Sequence, residues 1–314
     1  MKKLCCLLAA LLMLISACTA MAEEARVAPA DRKEIVTELA PGAKSVYRAL
    51  DGRFWEKPSP QPGTVVRFDY TTDVYGEPLN QWANVYLPYG YDESKQYNIL
   101  YFTHGTNETQ DSFIGDATVK NVIDNMIEMG VCEPFIMVCP TYYYDYENRA
   151  TDHKVFVTEV RKDLMPAVEA AFSTYAETTD DAGFIASRDH RAFAGYSQGS
   201  AVCWTISYDM YDRAKWFLPM AGGSINNLES IKGAMAKYIE YSDDVFYYIS
   251  VGGPRDIAYE GVNGLIQAML ADEAFSFGTD AEANNFYLLQ TNEIHQTLKG
   301  RFFLYNAFLD GVLK

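Results

Sequence analysis

Arg191-Ala192-Phe193-Ala194-Gly195-Tyr196-Ser197-Gln198-Gly199-Ser200-Ala201-Val202-Cys203-Trp204 sets a serine between two glycines, with a strand-like run before it and a helix-like run after it. Arg191 to Tyr196 predicts a short buried strand, and Ser200 to Tyr208 predicts a helix. The pentapeptide G-x-S-x-G recurs by chance in many proteins. A strand leading in and a helix leading out make it specific, because this turn lifts a serine hydroxyl above the edge of a sheet. The turn is too tight for side chains two residues either side, hence Gly195 and Gly199. The positive end of the following helix favours negative charge developing at the serine. Ser197 is therefore the candidate nucleophile. The competing reading is a glycine-rich turn in an inert α/β protein, which the strand-turn-helix context disfavours.

Working outward, strands and helices alternate. Strands are predicted at Asn98–Thr103, Phe135–Cys139, Trp216–Met220, Val245–Val251 and Phe286–Leu289. Helices are predicted at Val119–Met129, Val155–Ala171, Val262–Leu270 and Phe302–Leu309. Such alternation implies a mostly parallel sheet covered by helices on both faces. Two earlier strands, Thr64–Thr71 and Trp82–Leu87, have no helix between them and predict an antiparallel N-terminal edge. The expected fold is the α/β-hydrolase fold over residues 63–314. Residues 1–22 read as a signal peptide. Residues 23–62 read as a linker or approach segment, stiffened by alternating Pro58, Pro60 and Pro62.

In that fold the triad runs in the order serine, acid, histidine. Of the four histidines only His295 follows Ser197, so elimination makes it the candidate base. The acid must lie between them. Asp256 follows the Val245–Val251 strand through Gly252-Gly253-Pro254-Arg255, which places it at the same sheet edge as the elbow. Asp243 and Asp244 precede that strand, and Asp272 and Asp280 lie near the far end of a helix; Glu260 is a further competitor. Oxyanion donors in this fold come from the residue after the nucleophile, here Gln198, and from the loop after an early strand. His104-Gly105-Thr106 follows Asn98–Thr103, so Thr106 is the second candidate donor, to within one position. His104 belongs to that loop and reads as structural.

The chain has 314 residues, 49% of them hydrophobic, and a formal net charge of −16. Removing Lys2 and Lys3 with the leader brings the mature charge to −18. That excludes nucleic acid or an anionic membrane surface as a partner held by bulk charge. The leader has a basic start and a short apolar core, Leu4 to Ile15. Two exits follow it: Ile15-Ser16-Ala17-Cys18, a lipoprotein box in which Cys18 is lipidated, and Ala20-Met21-Ala22, an ordinary cleavage site. The expectation is a secreted, extracellular protein, with Cys18 the only route to a membrane anchor. Cys132, Cys139 and Cys203 show neither metal-ligand spacing nor a disulfide framework. Tyrosine is abundant, with 23 residues, and Tyr142-Tyr143-Tyr144-Asp145-Tyr146 follows a strand at the catalytic edge. It reads equally as the wall of an aromatic or sugar site or as a packed loop. Tyr142, Tyr143 and Trp204 are the candidate substrate-binding residues.

From about Val65 to the C-terminus the chain resembles the family-1 carbohydrate esterases, and among them the feruloyl esterase modules of bacterial xylan-degrading systems. The stretches that carry the likeness are Val85-Tyr86-Leu87-Pro88-Tyr89-Gly90-Tyr91, Pro140-Thr141-Tyr142, Ser173-Thr174-Tyr175-Ala176-Glu177, Ala186-Ser187-Arg188-Asp189-His190-Arg191 and Asp256-Ile257-Ala258-Tyr259. The resemblance implies hydrolysis of feruloyl or acetyl esters on plant polysaccharide or oligosaccharide, arabinoxylan above all, with no metal or organic cofactor. Three stretches differ from the family pattern: Thr106-Asn107-Glu108, Gln296-Thr297 and Ala221-Gly222-Gly223-Ser224. The acyl group thus stays open between ferulate, acetate and other small esters. The reading of a different class is a carbohydrate-binding relic of the fold that has lost catalysis.

Overall fold

Asn98–Thr103, Arg191–Tyr196, Phe246–Val251 and Phe286–Gln290 are buried at every position. Strands covered on both faces are apolar along most of their length. The computed structural model describes residues 32–314; the leader, its cleavage sites and Cys18 lie outside them. In chain order the elements are β1 (Glu34–Ala40), β2 (Ala43–Arg48), α1 (Gly52–Trp55), β3 (Thr64–Thr72), β4 (Leu79–Leu87), β5 (Asn98–Thr103), α2 (Ala117–Glu128) and β6 (Phe135–Cys139). Next comes α3, an α-helix His153–Glu159 that passes through a π turn, Val160–Leu164, into Met165–Ala171. Then follow α4 (Asp181–Ala186), β7 (Arg191–Tyr196), α5 (Gln198–Ser207), β8 (Trp216–Met220), α6 (Asn226–Lys237), β9 (Phe246–Val251), α7 (Tyr259–Leu270), β10 (Phe286–Gln290) and α8 (Gly300–Leu309).

Eight strands form one sheet in the order β10-β9-β8-β7-β5-β6-β4-β3. Pairing is parallel from β10 to β6 and antiparallel for β6–β4 and β4–β3. This is the α/β-hydrolase arrangement with an antiparallel N-terminal edge. Successive residues of a strand feed opposite cores, as the two-residue side-chain period demands. Ile99 and Tyr101 pack with Val160, Leu164, Val202 and Leu265 on the face of α3, α5, α6 and α7. Leu100 and Phe102 pack with Val119, Ile123, Phe303 and Ala307 on the face of α2 and α8. The chain leaves β5 to one side for β6 and returns on the other side for β7. The β5/β7 boundary is therefore the switch point, where loops at the carboxyl ends of the strands diverge and open a crevice.

The segment expected as an approach linker contains the β1–β2 hairpin. Its buried positions are Ala43, Ser45 and Tyr47, and such small or polar residues give little strand signal. The hairpin is tied to the far edge of the domain: Val46 N donates to Tyr287 Oη at 2.7 Å, and Gln290 N donates to Ser45 Oγ at 2.7 Å. Arg48 pairs with Asp310 at 2.5 Å. Two further helices, α4 and α6, also lacked a readable period; α6 buries only Ile231 and Ala234. The long helix expected over Val155–Ala171 is interrupted by the π turn just before Pro166. A proline ring cannot fit a regular helical turn there, because it clashes with the carbonyl four residues back. No helix of the described residues is long and apolar enough to cross a membrane. Cys132, Cys139 and Cys203 are free thiols.

Candidate active site

Ser197 sits between β7 and α5 with φ 56° and ψ −114°. A non-glycine residue in that region is strained, and the strain persists only because the surroundings hold it. The flanking glycines show how tight the turn is. A Cβ on Gly195 would lie 2.1 Å from Gly199 O, and one on Gly199 would lie 2.2 Å from Thr103 O and 2.5 Å from His104 O. Strand β5 and its following loop therefore touch the elbow backbone directly. Ser197 N is anchored to Met220 O on the neighbouring strand β8 at 2.9 Å.

The structure brings Ser197, His295 and Asp256 together from three different loops. His295 Nε2 lies 2.9 Å from Ser197 Oγ, and His295 Nδ1 lies 2.7 Å from Asp256 Oδ1. Asp256 Oδ1 also accepts from Ala258 N at 2.9 Å, and Oδ2 from Gly252 N at 3.1 Å. Burial works against charge on this carboxyl, but the hydrogen bonds from His295, Ala258 and Gly252 win and hold its pKa below the usual carboxylate value. An ionised carboxylate only accepts, so the proton on His295 sits on Nδ1 and the Nε2 lone pair faces the serine hydroxyl. The acid and base loops are knitted together: Gly253 N donates to Glu293 O at 3.0 Å, and Gln296 N donates to Tyr196 Oη at 2.8 Å.

The β5 loop lies against the elbow. Among the described residues, neither Thr106 N nor Gln198 N donates a hydrogen bond to a protein partner, while the amides beside Thr106 are engaged. Gly105 N donates to Glu108 Oε2 at 2.8 Å, and Asn107 N, on a residue with φ 63°, donates to Tyr143 Oη at 3.1 Å. His104 lies beneath the loop. Its ring joins Gly105 O and Thr141 Oγ1, each at 2.9 Å, and stacks on Tyr142 at 4.5 Å. Burial pushes its pKa down to about 4, against the hydrogen bond to Gly105 O, so the ring is neutral near pH 7.

The expectation that Tyr142 contacts substrate needs correction, whereas Tyr143, though buried, lines a cavity with Glu108, Thr109, Tyr146 and Arg149 beside the β5 loop. Tyr142 is 0% exposed and Tyr143 3% exposed. Tyr142 Oη donates to Gly105 O at 3.1 Å. Both rings support the loop from below, because the chain turns inward directly after β6. Tyr144 and Tyr146 of the same run are the exposed ones.

Beside Ser197 lies a groove of about 410 Å³. Trp204 lines it, as do Tyr208, Asn227, Gly222 and Ser224. Trp204 is anchored through Nε1 to Gly222 O at 3.0 Å and stacks on Tyr247. His153, from the start of α3, is a further lining residue. Nothing in its local sequence marks it, since it lies 44 residues before the elbow and reaches the groove only by packing of α3 on α5. Among the described residues no group of three or more His, Cys, Asp or Glu side chains is placed to hold a metal ion.

A serine on a strained elbow, beside a histidine and a carboxylate in an α/β-hydrolase sheet, defines a serine hydrolase, and its similarity to known esterases makes it a carboxylic-ester hydrolase. The chain is similar to the feruloyl esterase module from Clostridium thermocellum solved with sinapinate, with 32% identity, coverage of 84% of this chain and 93% of that one, and a TM-score of 0.77. It belongs to the feruloyl esterase-like carbohydrate esterases. A family model for esterases matches residues 80–224. Among curated proteins, the endo-1,4-beta-xylanase Y of Acetivibrio thermocellus is 35% identical over 74% of this chain and 21% of its own length. The endo-1,4-beta-xylanase/feruloyl esterase of Xylanibacter ruminicola is 26% identical over 61% of this chain and 25% of its own. The chain thus spans about a fifth to a quarter of the curated relatives it matches.

Proposed function

We propose that this esterase hydrolyses hydroxycinnamoyl esters on plant cell-wall polysaccharide, feruloylated arabinoxylan foremost, with Ser197 as nucleophile, His295 as general base and Asp256 as its orienting acid. The observation that carries this reading is the continuous hydrogen-bonded chain Asp256–His295–Ser197, which opens beside a groove walled by Trp204 and Tyr208. The sinapinate complex of the similar module supports the acyl group, and the xylanase context of the curated relatives supports the polymer.

His295 Nε2 takes the proton as Ser197 Oγ attacks the ester carbonyl. The carbonyl oxygen gains negative charge and is held by the amides of Gln198 and Thr106, each worth about 3 kcal/mol at the transition state. The tetrahedral intermediate collapses, the C–O bond to the sugar breaks, and His295 returns its proton to the departing sugar hydroxyl. Water then attacks the acyl-enzyme by the same route and releases the free acid and Ser197. Asp256 stays ionised throughout and stabilises the transient imidazolium. The leader exports the protein to its polymer, either free or held by lipid at Cys18.

The test compares methyl ferulate and a short acetyl ester with the wild type and Ser197→Ala. Ferulate release that disappears in the variant is expected. Serine-dependent turnover of the acetyl ester alone overturns the hydroxycinnamoyl assignment, and no serine-dependent turnover of either ester overturns the catalytic assignment.

A further inference from the structure

The loop that offers Thr106 as an oxyanion donor also walls a second cavity, of about 400 Å³, lined by Glu108, Thr109, Tyr143, Tyr146, Glu147 and Arg149. Its volume is that of a small-molecule site, and it shares no lining residue with the groove beside Ser197. Tyr144 N donates to Ala150 O at 3.1 Å and Ala150 N to Asp145 O at 3.0 Å, which closes a tight turn carrying Tyr146, Glu147 and Arg149. Asp145 pins that turn by accepting from Asn148 N at 3.1 Å and from Asn148 Nδ2 at 2.7 Å. Arg149 donates to Asn107 Oδ1 and so ties the turn to the oxyanion loop. Both partners have positive φ, 52° at Arg149 and 63° at Asn107, a strained state that persists only where the surroundings hold it. Thr106 and Glu108 are two residues apart, so their Cα atoms lie within about 7 Å of each other. The cavity is therefore within reach of the alcohol side of an ester whose carbonyl oxygen is held at Thr106.

The chemistry of this lining suits a neutral sugar. Glu108 and Glu147 accept hydrogen bonds and Arg149 donates them, a combination that satisfies hydroxyls, which do both. Two carboxylates beside one guanidinium disfavour an anion. Tyr146 is 56% exposed, and its ring offers a sugar an apolar face with a hydroxyl at its tip. An ester at Ser197 has two arms. The groove of Trp204 and Tyr208 takes the acyl arm, and the alcohol arm needs a place of its own. We propose that the second cavity is the sugar subsite: Tyr146, Glu147 and Arg149 bind a pentose unit of the polysaccharide that carries the ester. The inference rests on the hydroxycinnamoyl reading given above. Binding energy from this unreacting part of the substrate adds to kcat/KM, and a methyl ester, which has no sugar, does not use it.

The experiment measures kcat/KM for methyl ferulate and for the ferulate ester of an arabinoxylotriose, with the wild type, Tyr146→Ala and Glu147→Ala. Both side chains are exposed, and circular dichroism checks that each variant is folded. The wild type is expected to prefer the oligosaccharide ester by about tenfold. That ratio falls severalfold in each variant. All three proteins meet the same two leaving groups, so a change in the ratio reads the sugar contact and not the intrinsic reactivity of the ester. A wild type with no preference, or a ratio that both variants leave unchanged, overturns the sugar subsite while methyl ferulate turnover keeps the hydroxycinnamoyl reading standing. Turnover of neither ferulate ester overturns that reading and this inference together.

Discussion

Asp256→Asn isolates the electrostatic part of the mechanism, because it keeps the shape of the side chain and removes its charge. The carboxylate receives three donors: His295 Nδ1 and Ala258 N on Oδ1, and Gly252 N on Oδ2. An asparagine has one oxygen for these two positions. With the oxygen toward His295, its NH2 is pressed against the Gly252 N–H. With the amide flipped, the NH2 meets the Ala258 N–H and forces His295 into the Nε2-protonated tautomer, which has no lone pair for Ser197. Both arrangements lose the attraction between carboxylate and transient imidazolium. At 2.7 Å and an effective dielectric of about 20 that attraction is about 6 kcal/mol. A neutral hydrogen bond recovers about 1 kcal/mol, which leaves a loss of about 5 kcal/mol and a fall in kcat between about 10³- and 10⁴-fold.

The assay is initial-rate hydrolysis of methyl ferulate at pH 7, with thermal unfolding of both proteins followed by circular dichroism. A folded Asp256→Asn enzyme with kcat within tenfold of the wild type refutes the reasoning. It would mean that Asp256 orders the loop and another group supports His295.

Three further perturbations follow from the packing. Gly199→Ala drives a Cβ into the backbone oxygens of Thr103 and His104; a stability loss of about 3 kcal/mol is expected in urea unfolding, and a loss under 1 kcal/mol contradicts the tight-elbow argument. Glu169→Gln strands the buried Arg191, whose Nε and Nη2 are held at 2.8 and 2.7 Å; unfolding experiments should lose about 3–5 kcal/mol, and a neutral result means that Arg191 finds other partners. His104, with its pKa lowered to about 4, is more easily protonated unfolded than folded. Its contribution is complete above about pH 6.5 and declines by about 3 kcal/mol as pH falls toward 4. Urea midpoints measured across that range should fall less steeply in His104→Gln, and parallel curves for the two proteins refute the assignment.

The parts of this fold readable in the sequence are those where one local property determines the outcome. Asn98–Thr103, Phe135–Cys139, Arg191–Tyr196 and Trp216–Met220 are strands with the predicted bounds, because a strand buried on both faces is apolar along most of its length, with polar residues such as Asn98 and Arg191 at its ends and paired. The elbow is readable because two close backbone approaches demand glycine at fixed offsets from the serine. Elimination among the four histidines leaves His295, and a place just after the carboxyl end of a strand singles out Asp256; chain order alone carries both. The hairpin Glu34–Arg48 left no such mark. Its buried face is Ala43, Ser45 and Tyr47, and its anchors include Tyr287, Gln290, Asn306 and Asp310, more than 240 residues away in the chain.

The tyrosine run shows where sequence reasoning stops. Residue type and sheet edge place Tyr142 and Tyr143 near the site, and both are near it. Whether a ring faces the ligand or the core depends on how the backbone turns after Cys139, which one-dimensional patterning does not contain. The structure turns them inward beneath Gly105 and Asn107. This placement bears on catalysis. Thr106 can present a free amide only if the loop resists folding back onto its own hydrogen bonds. Tyr142, Tyr143, Glu108 and the neutral ring of His104 occupy the competing donors and acceptors on either side. An oxyanion site is effective to the extent that its dipoles are oriented before charge develops. In the proposed mechanism the buried aromatic cluster thus holds the Thr106 amide in place for the ester's carbonyl oxygen.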